Sequence, residues 1–104
     1  MRLQPIRSGA LSAEPRPLYE DMKTGIAAKC SGFATIRQDG AILGPWGAWL
    51  HEPALGSAIW DATKAMTRFK HLCDSVRQVV ILVVGSRFRA TYEIYAHSTV
   101  ARTA

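Results

Sequence analysis

The sequence predicts a small, mostly helical domain, and three observations carry that expectation. Leu18, Met22 and Ile26 recur at every fourth residue behind Pro17, the spacing of one helix face. A second apolar series, Leu55, Ile59, Met66 and Phe69, follows Pro53 at helical spacing. Near the C-terminus Glu93 and His97 stand four apart within Tyr92 to Val100, which puts both on one side of a final helix. With 104 residues the chain is read as one domain, 1–104, and 48% hydrophobic against 20% charged residues is the balance of a folded globular chain.

Taken in order, residues 1–16 are punctuated by proline and read as an extended approach, with Pro17 in the first turn of a helix reaching about Lys29. Gly25 inside that helix costs about 1 kcal/mol relative to alanine. Asp39-Gly40 between Thr35-Ile36-Arg37 and Ala41-Ile42-Leu43 signals a small hairpin near 35–43. The aromatic run Pro45 to His51 calls for burial, and Pro53 opens the next helix, whose stripe Trp60 widens. Trp46, Trp49, Trp60 and Met66 are accordingly assigned to the core.

Asp74 and Ser75 open another helix, and Ser75 with Gln78 three residues on has the form of a capping box. From Val76 to Val84 the chain is apolar nearly all round, a pattern shared by buried helices and buried parallel strands. The cap and the lack of any β-α-β pattern favour a buried central helix. Gly85 to Arg89 interrupts it, and the last helix begins near Ala90 or Thr91 and runs at least to Val100.

The net charge of +5 is scattered along the chain, so nucleic-acid binding is not expected; the nearest basic motif is Arg87-Phe88-Arg89. Cys30 and Cys73 match neither redox nor zinc spacing and suit a reducing compartment. Residues 1–9 do not resemble a signal peptide, and Val79 to Val84 falls far short of the roughly 20 apolar residues of a membrane span. A cytoplasmic protein without membrane contact is the expectation.

Glu93 and His97 are the candidate chemical residues. An imidazole beside a carboxylate can give or take a proton near neutral pH, with the carboxylate fixing its tautomer or holding its cationic form. Arg89, one turn back on the same face if the helix extends that far, is the candidate for binding an anionic group of a substrate. The plainer alternative is a surface ion pair worth about 0.2–0.5 kcal/mol. Two ligands are too few for zinc, and His51 and His71 lack companions, so neither metal nor cofactor is expected.

From Gly44 onward the segments Gly-Pro-Trp-Gly-Ala-Trp-Leu-His-Glu-Pro, Val-Arg-Gln-Val-Val-Ile-Leu-Val-Val-Gly and Tyr-Glu-Ile-Tyr-Ala-His resemble the carboxymuconolactone decarboxylase-like family, as does Leu18-Tyr19-Glu20-Asp21-Met22. The resemblance implies an all-α fold shared with alkylhydroperoxidase-D-like proteins and a homo-oligomer. Ala90 and Glu93 stand where the peroxidase branch has its Cys-x-x-Cys pair, so thiol peroxidase activity is not expected. Likeness to the decarboxylase branch implies lyase-type proton transfer on a small carboxylated or lactone substrate, with His97 moving the proton and Glu93 orienting or sharing it. Two departures stand out: Gln78 replaces a glutamate common among relatives, and the chain stops just after the motif helix, as a truncated form or one completed by a second copy. The alternative expectation is a non-catalytic oligomerising helical domain, or a remnant of such an enzyme, with Trp46 to Trp60 and Val79 to Val84 in a subunit interface.

Overall fold

Pro17 at the second position of a helix fixes a backbone angle the helix needs and removes an N–H that would have no partner there. In the computed structural model, which describes residues 3–104, that helix is α1, Arg16–Lys29. Its stripe is buried as the spacing requires, with Met22 and Ile26 wholly enclosed at 0% and 1% exposure. Leu11, Ile42, Leu50 and Trp60 cover it, and Ile36, Trp46 and Trp49 pack around them.

Of the extended approach expected over 1–16, Met1 and Arg2 lie outside the described residues. The remainder includes a 3-10 turn, Ser8–Ala10, and Leu11 enters the core. Arg16 Nη2 donates to the Leu11 carbonyl at 2.9 Å, and Ser8 donates through both N–H and Oγ to the Asp39 carbonyl. The hairpin near 35–43 is one antiparallel bridge, Ile36 with Ile42. Gly40 takes φ 78° at its tip, a conformation glycine adopts without steric cost, and Tyr19 Oη donates to the Gly40 carbonyl at 2.8 Å.

The aromatic run contains a short helix, α2 (Pro45–Trp49), that sequence periodicity did not reveal, and α3 (Pro53–Thr67) follows Pro53 as expected. The face α3 buries is a correction. Gly56 and Trp60 face the core, whereas Leu55, Met66 and Phe69 are 59%, 64% and 56% exposed. Small residues decide this: Gly56 lies against the Trp49 carbonyl, and Gly25 of α1 lies flat against the Trp60 indole. Trp60 Nε1 then donates to Asp21 Oδ2 at 2.8 Å, and Lys64 Nζ reaches the same oxygen at 2.8 Å. The Lys64 ammonium, helped by the indole N–H, holds the Asp21 carboxyl below its ordinary range against the opposing effect of desolvation.

The last two helices, α4 (Asp74–Arg87) and α5 (Thr91–Val100), pack on each other. The fold is therefore all-α among the described residues. The apolar run is helical, but it is not the buried centre expected of it. Val76, Val79, Val80, Val83 and Val84 are 46% to 63% exposed, while Gln78 and Gly85 are the buried residues of α4. One neighbouring helix covers one face, so a run apolar on all sides leaves its other side in water. Nor does the capping box form. Cys73 occupies the N-cap without a side-chain cap bond, and Gln78 turns inward. No helix among the described residues is long and apolar enough to cross a membrane.

The contact between Gly25 and Trp60 gives a test whose sign is informative. Helix propensity alone makes Gly25→Ala stabilising by up to about 1 kcal/mol. A Cβ there, however, meets Trp60 Cζ2 at 2.6 Å, and that ring is held in place by Asp21. Overpacking of this kind costs about 1–3 kcal/mol, so urea unfolding should show net destabilisation of roughly 1 kcal/mol.

Candidate functional site

The turn between α4 and α5 places the candidate residues. Arg89 has φ 53°, left-handed backbone that ends α4 decisively, and α5 starts only at Thr91. Arg89 is thus not a turn back on the same helical face, as its spacing suggested, but stands at the tip of the connection. From that tip it shares with Glu93 the lining of an open depression of about 570 Å³, along with Pro45, Tyr92 and Tyr95.

Tyrosines anchor α5. Tyr92 Oη donates to the Ala34 carbonyl at 3.0 Å, and Tyr95 Oη accepts the Ala34 N–H at 3.1 Å, so one residue's backbone is gripped from both sides. Phe33 meets both rings edge-on, and Trp46 meets Tyr92 at 90° with centroids 6.4 Å apart. The Tyr92 ring lies over Gly44, where a Cβ would fall 2.3 Å from Cε1; glycine is needed for that approach and for its φ of 70°.

With α5 fixed, the expected pair forms. His97 Nε2 lies 3.3 Å from Glu93 Oε2, with side chains 26% and 34% exposed, neither sealed in the core nor free in solvent. The third member is Gln78, which the sequence marked as a departure from a glutamate of the resembling family and not as a partner of His97. Its Oε1 is 2.6 Å from His97 Nδ1 across the α4–α5 interface, and Gln78 is 5% exposed. An amide oxygen only accepts, so Nδ1 carries the hydrogen and Nε2 of the neutral ring presents a lone pair. A lone pair facing a carboxylate repels. The contact is favourable when one proton lies in it, as imidazolium with carboxylate or as imidazole with carboxylic acid. Gln78, His97 and Glu93 therefore stand in a line that runs from the α4–α5 interface to the edge of the depression. Residues 19 positions apart carry no periodicity signal; the available hint was an amide on the face shared with Gly85, where the resembling family has a glutamate.

The chain matches no family model, no curated protein and no solved structure. What the site can do rests on its own groups. The described residues contain no group of three His, Cys, Asp or Glu side chains arranged to hold a metal ion. Both cysteines are free; burial pushes the half-buried Cys30 thiol up, while the Ser75 hydroxyl and the Val76 N–H hold the exposed Cys73 thiol below its ordinary value. His51 contacts the Gln4 carbonyl at 3.0 Å and His71 lies against Phe69, both outside this site.

Burial pushes the Tyr92 hydroxyl from 10.0 up to about 12, with Cys30, Glu93 and Tyr95 adding in the same direction. A phenol whose pKa is raised by folding favours the folded chain below pH 10, and that contribution is lost as pH climbs from 10 towards 12. Ultraviolet titration should therefore show a late-ionising tyrosine, with helical circular dichroism declining across the same interval. In Tyr92→Phe the late phenol should disappear and stability at neutral pH should drop by about 1 kcal/mol, for the lost bond to Ala34.

Proposed function

We propose that this chain is a carboxymuconolactone decarboxylase-like protein of the alkylhydroperoxidase-D-like type, carrying out proton transfer on a small carboxylated or lactone substrate through Glu93 and His97. The observation that carries the reading is the hydrogen bond from His97 Nδ1 to the buried Gln78, which presents Nε2 to Glu93 at 3.3 Å. A base needs a defined tautomer and a proton partner, and this arrangement supplies both. Arg89 and Glu93 on one depression add a cation for the substrate's carboxylate or lactone oxygen beside the proton-handling pair. Apolar and aromatic walls from Pro45, Tyr92 and Tyr95 suit a small organic acid. In this reading Gln78 is a positioning residue and no cofactor takes part. Two free thiols fit a cytoplasmic setting.

The reading includes self-association, supported by the exposed valines of α4. That same observation favours the second reading, a helical domain whose role is assembly without catalysis, and measured turnover separates the two.

Turnover of a panel of small lactones and β-keto acids is the direct test. His97→Ala should lower kcat/KM by about 10²- to 10⁴-fold, the usual contribution of a positioned acid or base. Gln78→Leu should lower it less and displace the pH–rate profile, because the ring loses its tautomer partner. Arg89→Ala should act mainly on KM. If the unaltered chain turns over none of the panel, or His97→Ala leaves the rate untouched, the assembly reading replaces this one.

A further inference from the structure

We infer that Arg89 is an anion anchor held at a strained backbone position, and that the depression it lines takes a monocarboxylate carried on a flat apolar ring; the inference rests on the site read above and names its ligand. The strain is visible in how α4 ends. The Ala90 N–H donates to the Gly85 carbonyl at 2.8 Å and the Arg89 N–H to the Ser86 carbonyl at 3.2 Å, the paired bonds of a helix stop whose linking residue turns left-handed. Glycine is the usual occupant of that position, because a Cβ there crowds the following carbonyl. Among the described residues every other positive φ belongs to a glycine, at Gly32, Gly40 and Gly44. An arginine at φ 53° is therefore disfavoured by the turn itself, and residues so placed gather at ligand clamps. Its guanidinium gains nothing from the fold in return. Glu93, the carboxylate in the same depression, pairs with His97, and the Arg89 side chain has no hydrogen bond or ion pair among the described residues.

The lining selects the ligand. Arg89 and Glu93 are its only side chains charged at neutral pH, so it offers one guanidinium fork to one carboxylate, and a second carboxylate on the same molecule would meet Glu93. The rest of the wall is built from rings, those of Pro45, Tyr92 and Tyr95. Tyr92 and Tyr95 stand 6.1 Å apart between centroids at an interplanar angle of 59°, and Tyr95 is 49% exposed. Both hydroxyls are engaged with the backbone of Ala34, so the tyrosines present ring surface rather than a second polar anchor. A flat ring can stack or pack edge-on against such a wall, which a short aliphatic acid cannot do.

Chemical-shift titration at fixed ionic strength with benzoate, acetate and terephthalate, on the unaltered chain, Arg89→Gly and Arg89→Ala, tests this alongside urea unfolding of the same three proteins. Benzoate should bind the unaltered chain with shifts at Arg89, Tyr92 and Tyr95, and about 5-fold more tightly than acetate or terephthalate. Both substitutions should weaken benzoate binding by about 10-fold or more. Only Arg89→Gly should also lower the unfolding constant, by about 3- to 10-fold, since alanine keeps the left-handed strain. Benzoate that fails to bind, or that binds both variants as it binds the unaltered chain, overturns the anchor. Acetate or terephthalate binding as tightly as benzoate overturns the ligand class, and an Arg89→Gly chain no more stable than the unaltered one overturns the strained position. Arg89-dependent benzoate binding in a chain that turns over none of the lactone and β-keto acid panel supports this inference while removing the chemistry proposed above.

Discussion

The backbone of Ala34, held between the hydroxyls of Tyr92 and Tyr95, is the joint on which the C-terminal half of this protein depends. The core around Met22 and Ile26 is closed by α1, the 36–50 segment and Trp60 without help from α4. Helix α5 reaches that core through its tyrosines, which meet Phe33 and Trp46, and α4 then hangs on α5. Two hydrogen bonds of about 1 kcal/mol each are modest, but the edge-on aromatic contacts beside them add comparable amounts. Together they fix the rotation of α5, and with it the direction of every other side chain on that helix.

That rotation decides which face of α4 is dry. Turned as it is, α5 presents His97 to α4, and the matching position on α4 is an amide rather than a valine. A buried amide without a partner costs about 1–3 kcal/mol, so Gln78 requires His97: removing the imidazole strands an amide at 5% exposure, whereas removing the amide leaves a ring that is 26% exposed and still beside Glu93. The valines, which would have made an ordinary core against α5, face outward instead. Ile81 and Leu82 stay half-buried, so α4 encloses one amide while leaving five valines in water.

Much of this was legible in the residues. The stripe of α1, the Asp39-Gly40 turn and the four-residue spacing of Glu93 and His97 each follow from local rules, and each is present. Where the reading went astray, two solutions had equal local merit. Helical periodicity in α3 admits Leu55, Ile59 and Met66 or Gly56, Trp60 and Lys64 as one face. The choice falls to Gly25 and Gly56, whose missing side chains let indole and carbonyl approach, and that is a pairwise property of two helices. The apolar run of α4 likewise says nothing about which side has a neighbour. The role of Gln78 was hidden because a capping box is a local pattern, whereas its partner lies across a turn whose left-handed Arg89 no periodicity rule anticipates.

The identity of residue 78 also limits how the site handles protons. A carboxylate there could take the Nδ1 proton, and charge could then leave the ring from either side. An amide oxygen accepts a hydrogen bond and cannot be protonated near neutral pH, so Nδ1 is a fixed donor and the inner side of the ring is closed to exchange. Whatever proton His97 gains or loses must pass through Nε2, and there Glu93 stands at 3.3 Å on the edge of the depression that Arg89 also lines. The line from Gln78 outward is therefore directional. Its buried end is the amide that orients the ring, and its outer end is Glu93, on the border of the depression.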